Sequence, residues 1–481
     1  MAALMRWHRL LALLVVVPLM AWSLTGLLHP IMARWQPSAA AMMPPSEIIS
    51  TVSWQGVPAP AQVLPAALAL HELRPLTWQG EAYWAALTAD DQRRYFRARD
   101  GQPSAIEPTL MTALARHFTG ISSGEPRLTL VNTFSDEYPF VNRYLPVWRV
   151  AFSGHDTVAF IEPRGLRLAA LSDSWKTCFS GLFSQLHNWR FWPHEPSRDI
   201  AMALVLSVGL MVVLTGLVRL LRGSLPARRL HAMPTSRRWH RRLAWLVALG
   251  AIASMSSGVF HVLAINKSQP GFTAQPARVA FSAAQVRTVP PALGLIGERR
   301  LVVASNDGPL WLSYAKLPAV AVASTVAAEH AEHASGHAKA ELLMQVQRAD
   351  TAQALTLERY LGELAADVLA QYPGARIIST QAITRFMPEY GFVQKRLPVY
   401  QLSLDTPDHT TIYIDPIDAV VSSVVNDLSR AEGFSFAYLH KATWLDFLGK
   451  GTRDAVLGLQ ALGVLVMACL GLWLARRRRM S

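Results

Sequence analysis

Cysteine is nearly absent: Cys178 and Cys469 are the only two in 481 residues. The first falls in a polar segment and the second in an apolar run, so they are not expected to pair. No Cys-x-x-Cys-His occurs, which excludes c-type haem attachment by that signature. No cysteine spacing suits an iron–sulfur cluster. There is no Gly-x-Gly-x-x-Gly after a strand, no Walker loop, no His-Glu-x-x-His helix and no Ser/His/Asp elbow. The chain is therefore not expected to bind its own nicotinamide. Charge is scarce too, at 16% against 51% hydrophobic residues, where soluble chains carry about 25% charged residues. Four stretches hold no charge at all: Leu10–Met32, Ile200–Val218, Leu243–Asn266 and Ala455–Ala475. Each is long enough to cross a bilayer as a helix. The first could also be read as a signal peptide, but it has an internal duplicate.

What charge there is is basic, with 46 Lys and Arg against 33 Asp and Glu. Arg219, Arg222, Arg228, Arg229, Arg237, Arg238, Arg241 and Arg242 crowd one acid-free loop, and Arg476 to Arg479 form the tail. Such segments stay in the cytoplasm. They abut apolar spans, so the basic balance reads as topology and no nucleic-acid partner is expected. The expected order is a span in 1–33, an outer domain in 34–196, a span in 197–219 and a basic inner loop in 220–242. A span in 243–266, a second outer domain in 267–452, a span in 453–475 and an inner tail in 476–481 follow. This order implies a multi-pass membrane protein with both termini cytoplasmic and two large domains on the far side.

The chain also repeats itself. Arg6-Trp7-His8-Arg9, an apolar run and Gly26-Leu27-Leu28-His29 recur as Arg238-Trp239-His240-Arg241, an apolar run and Gly258-Val259-Phe260-His261. The histidines of each pair are 21 residues apart, about 30 Å along a helix. Glu137-Tyr138-Pro139-Phe140-Val141 and Leu145-Pro146-Val147 return as Glu389-Tyr390-Gly391-Phe392-Val393 and Leu397-Pro398-Val399. Phe160-Ile161-Glu162-Pro163 returns as Tyr413-Ile414-Asp415-Pro416, and Phe183, Leu186 and His187 as Phe436, Leu439 and His440. Ser197-Arg198-Asp199 matches Thr452-Arg453-Asp454, and the hydroxyl residue of each reads as a helix N-cap. This is a tandem duplication of a span–domain–span unit. Within each domain, Ala105–Phe118 and Ala354–Tyr372 have helical spacing. Leu145–Phe152 and Leu397–Leu404 alternate as strands, with Thr157–Ile161 and Thr410–Ile414 as their hairpin partners.

The order of these motifs, with Thr25-Gly26-Leu27 and Thr215-Gly216-Leu217 in the spans, resembles the PepSY-associated transmembrane family over essentially the full length. The resemblance implies four transmembrane helices in a bacterial inner membrane, with two α+β PepSY-like periplasmic domains. Members of that family include inner-membrane ferric-siderophore reductases that hold haem b in a four-helix bundle. Other members are inferred to bind or regulate peptidases.

Histidine inside a membrane is costly and usually functional. In a parallel duplication His8 and His240 share the inner depth. His29 and His261 share the outer depth, beside His187 and His440. Paired imidazoles in a bundle suit axial ligation of haem. The expected cofactor is one or two haem b, each with two histidine ligands. His29, His187, His261 and His440 come first as candidates, then His8 and His240. The bland reading of any one of them is an interfacial polar residue. Arg6, Arg9, Arg238 and Arg241 face lipid phosphates or haem propionates. His330, His333 and His337 break the repeat and would share one helix face. They form a weak candidate for a transition-metal site beside the reading as a solvated insertion. The expected function is an oxidoreductase passing electrons from a cytoplasmic flavoprotein or quinol to an outer acceptor, a ferric siderophore first. The alternative is a membrane-anchored PepSY module that regulates a peptidase or sensor and has no redox centre.

Overall fold

A computed structural model describes residues 2–49, 54, 56–222, 233–268, 280–289, 293, 298–316, 342–387, 389–391 and 394–477. Helix α1 (Ala2–Arg34) leads into strands β1 (Ala69–Trp78), β2 (Glu81–Thr88), β3 (Arg93–Arg97) and β4 (Pro103–Ser104). Helix α2 (Glu107–Thr119) follows, then β5 (Pro126–Val131), β6 (Val147–Phe152), β7 (Val158–Glu162) and β8 (Arg167–Ser172). The first copy ends with α3 (Ser174–Leu186) and the long α4 (Glu195–Arg222).

The second copy opens with α5 (Thr235–Ser268), then β9 (Phe281–Ser282), β10 (Arg299–Val303), β11 (Leu310–Lys316), β12 (Leu342–Arg348) and β13 (Ala354–Leu355). It continues with α6 (Leu357–Leu369), β14 (Ile377–Ile383), β15 (Val399–Leu404), β16 (Thr411–Asp415) and β17 (Val420–Val425). Helix α7 (Asp427–Ser435), a π turn over Phe436–His440 and α8 (Lys450–Arg477) close it. The helices and hairpins expected at α2, α6, β6–β7 and β15–β16 are all present.

Helices α1, α4, α5 and α8 are long and apolar enough to cross a membrane. Their outward faces carry exposed Leu14, Val17, Leu246, Leu249 and Leu459. Water would penalise such faces and lipid would not. Contacts run α1–α4, α4–α5, α5–α8 and α8–α1. The repeat-related helices α1 and α5 therefore stand on one diagonal of a square bundle, and α4 and α8 on the other.

Ser197 and Thr452 are not N-caps. Helix α4 starts at Glu195 and α8 at Lys450, so both residues fall in the first turn. At α4 the ring of His194 takes the capping role, its Nδ1 accepting the Ser197 N–H at 3.4 Å.

The outer segments explain why their motifs repeat. Tyr138 and Tyr390 are fully buried, and their hydroxyls donate to the carbonyls of Tyr144 at 2.9 Å and Arg396 at 3.2 Å. Glu162 closes the β7–β8 turn by accepting the N–H groups of Arg164 at 2.8 Å and Gly165 at 2.7 Å. Asp415 closes β16–β17 in the same way, from Ile417 at 2.9 Å and Asp418 at 3.0 Å. Each copy has a four-stranded antiparallel sheet, β5-β6-β7-β8 or β14-β15-β16-β17, packed with α2 or α6.

The two segments are not separate bodies. A nine-stranded sheet runs β13-β12-β11-β10-β1-β2-β3-β4, with β9 paired to β1 off this path, and β1 of the first copy pairs antiparallel with β10 of the second. Trp84 and Trp311, both buried, meet across this sheet with ring centroids 6.1 Å apart. His330, His333 and His337 lie outside the described residues, between β11 and β12.

Candidate functional site

The sequence places His29, His187, His261 and His440 first, yet the bundle's large cavity lies at His8 and His240. It measures about 480 Å³, within the roughly 300–1,000 Å³ typical of cofactor pockets. His8 of α1 and His240 of α5 both line it, on diagonal helices and within electrostatic reach of each other. Apolar side chains, among them Leu19, Val212, Val247 and Met467, supply most of the remaining wall, and Arg9, Arg219, Arg237 and Arg241 join it from the basic ends of the helices.

The ring of His8 is oriented. Its Nδ1 lies 3.0 Å from the Val212 carbonyl and 3.1 Å from Thr215 Oγ1. A carbonyl only accepts, so Nδ1 carries the proton and Nε2 keeps its lone pair. Thr215 donates its own proton to the carbonyl of Met211 at 2.8 Å or Val212 at 3.0 Å. Fixing one ring nitrogen this way is how proteins orient a histidine whose other nitrogen is a ligand. His240 faces the repeat-related carbonyl of Met467 but makes no hydrogen bond there, leaving Nδ1 buried and unpaired. Leu470 stands where the first copy has Thr215.

Two glycines make room for these rings. A Cβ on Gly216 would sit 3.2 Å from His8 Cε1, and one on Gly471 would sit 3.9 Å from His240 Cε1. They occupy equivalent places on α4 and α8. Gly216 belongs to a motif visible in the sequence. Gly471 does not, because its neighbour Leu470 breaks the match.

At the other end of the bundle, next to the sheet domains, the structure brings His29, His187, His261 and His440 together, close enough for each to act on His187 electrostatically. Phe183 lies between His29 and His187, tilted against the first at 5.7 Å and stacked on the second at 4.4 Å. Phe436 stacks on both His261 and His440, at 4.6 and 4.8 Å. Thr25 donates to the Ala21 or Trp22 carbonyl and accepts His187 Nδ1–H at 2.9 Å. The Trp22 indole donates to the His187 carbonyl at 2.9 Å and stacks on Trp189 at 5.3 Å. His440 Nδ1 donates to the Ser254 carbonyl at 3.3 Å.

Burial, reinforced by the other three histidines, pushes His187 down to about 3. Burial likewise takes His440 to about 4, although its bond to Ser254 opposes the shift. Both are neutral imidazoles at ordinary pH. The cavity beside His29 measures about 10 Å³, so as packed this end does not fit a macrocycle unless Phe183 and Phe436 move.

Glu432 escapes the sequence reading. Its Oε1 lies 2.5 Å from His261 Nδ1, and its counterpart in the first copy is Phe179. The one available signal is a carboxylate two helical turns ahead of His440. Among the described residues, no group of three or more His, Cys, Asp or Glu could hold a metal ion directly. No protein-family model matches this chain, and a search of curated proteins finds no significant match.

Proposed function

We propose that the protein is a haem-b oxidoreductase of the bacterial inner membrane that passes electrons to a periplasmic acceptor, first a ferric siderophore. The observation that carries this reading is the 480 Å³ cavity with His8 and His240 on diagonal helices of a four-helix bundle. The donor set fits the group. His8 offers Nε2 with Nδ1–H committed to Val212, and His240 offers a buried ring with no competing hydrogen bond. Arg9, Arg219, Arg237 and Arg241 supply positive charge suited to propionates.

When bound, haem supplies a one-electron iron couple. The chain's own residues hold it and exclude water through the apolar wall. The basic segments around the cavity face the cytoplasm in this reading, so electrons enter there from a flavoprotein or from quinol. The outer domains dock the acceptor. Iron(II) binds hard oxygen donors more weakly than iron(III), so reduction releases it. The outer histidines are the second haem candidate, conditional on movement of Phe183 and Phe436.

The test is an absorption spectrum of purified protein made with ample haem, oxidised and then reduced. A low-spin b-type spectrum is expected, and it should be lost or turn high-spin in His8→Ala and His240→Ala. A colourless wild-type protein overturns the reading. A binding module that regulates a peptidase or sensor would then take its place.

A further inference from the structure

The seam between the two copies holds a second feature, remote from the histidines in chemistry. Strand β1 pairs with β10 there, and the β7–β8 turn lies over the junction. A cavity of about 50 Å³ opens between them, lined by Arg74, Arg164, Arg299, Arg300 and Tyr314. That is several times the roughly 10–15 Å³ a single water needs. It has room for one carboxylate or phosphate group and no room for a whole chelate.

The neighbouring carboxylates are already shared. Glu72 lies between Arg74 and Arg164, pairing with both. Asp418 accepts from Arg167 at 2.7 Å and from Arg396, with Arg74 at 3.4 Å and Arg164 at 3.8 Å. Arg300 pairs with Glu298 at 2.7 Å. Arg299 is half-buried and, among the described residues, reaches no carboxylate. Positive charge gathered around one small cavity is favourable only when anions balance it, and planar guanidinium forks match oxyanions well.

We propose that this cavity is an oxyanion site on the outer side of the protein, taking a carboxylate or phosphate group, with Arg299 as the residue that recognises it. A free anion and a pendant group of a larger ligand present the same chemistry of recognition. The site stands whether or not the protein binds haem.

The full chain in detergent is titrated with sodium phosphate, acetate or citrate at constant ionic strength, by calorimetry and by thermal unfolding. Phosphate or acetate should bind saturably and raise the melting temperature. Arg299→Gln should weaken binding by roughly tenfold, the worth of a charged hydrogen bond, while its melting temperature without anion stays at or above wild type. Arg299→Lys should recover part of the affinity. Binding of citrate at least as tight as acetate assigns the site to a pendant carboxylate, and rejection of citrate assigns it to a small free anion. Either result supports the site. Absence of saturable binding by wild type, or undiminished binding by Arg299→Gln, overturns it.

Discussion

Thr215 on α4 holds the ring of His8 on α1 at 3.1 Å, and the residue at its place in the second copy is Leu470, so two histidines at one depth have unequal support. Thr215→Val removes the hydroxyl and leaves His8 bonded to Val212 alone. The loss should be modest, about 1 kcal/mol of stability, because one acceptor remains. Thermal unfolding of the two proteins in the same detergent checks this. A collapse of the fold would mean that Thr215 does more than orient His8.

Gly216 and Gly471 keep the cavity open beside the two rings. Leucine at either position should fill the space next to a histidine while leaving both imidazoles in the chain. We expect Gly471→Leu to abolish binding of added haem, followed by absorbance, without lowering the melting temperature of the haem-free protein. Gly216→Ala is milder, because its Cβ would press on His8 Cε1 at 3.2 Å and a small ring shift relieves it. Full haem binding by Gly471→Leu would place the group elsewhere.

The motifs that occur twice were legible in the sequence because each is a local device: a buried tyrosine bonded to a nearby carbonyl, or an acid closing a hairpin. The four long helices were legible from missing charge. The joined sheet was not. Strand β1 and strand β10 are far apart in the chain, and periodicity reports how a strand alternates without reporting its neighbour. The site was half legible. The histidine pairs were visible, but which of them lines a cavity was not, because cavity size depends on what the facing helices carry. Glu432 and Asp418 were invisible for one reason: their counterparts are Phe179 and Gly165, so neither shows up in a comparison of the copies.

Acid should weaken the end of the bundle that holds His187 and His440. His187 binds a proton near pH 3 in the folded chain and near 6.5 when unfolded, and His440 near 4 against 6.5. Both pKa values are lowered on folding, so the unfolded state takes up protons first. Stability is then fully present above pH 6.5 and declines as pH falls from 6.5 towards 4. The slope is at most about 1.4 kcal/mol per pH unit for each residue. Melting temperatures between pH 7.5 and 5 should fall in wild type. The fall should be clearly shallower in the His187→Gln/His440→Gln double variant, and equal slopes would remove these residues as the cause.

Orientation has a direct test. A reporter active only outside the cytoplasm should be silent when fused after Ser481 and active when inserted beside Gln102, in the turn between β3 and β4. Translocating the basic segments around Arg219–Arg242 and the tail is unfavourable. The reverse pattern would put His8 and His240 on the outer side and overturn the proposed entry of electrons from the cytoplasm.

Asp418 should prove the most sensitive carboxylate of the seam. It is 2% exposed and serves guanidiniums from both copies, Arg74, Arg164 and Arg167 of the first and Arg396 of the second. Burial opposes its charge, but the surrounding arginines hold its carboxyl well below the usual range. Asp418→Asn keeps the shape and removes the charge, leaving buried guanidiniums under-compensated. Breaking one partner of such a pair costs about 3–5 kcal/mol. The outer domains should therefore melt earlier and become protease-sensitive. The α-helical bundle, which shares no residue with this network, should keep its haem-binding spectrum. Loss of both together would mean that the seam and the bundle form one cooperative unit. An unchanged melting temperature would mean that solvent, not Asp418, balances the arginines.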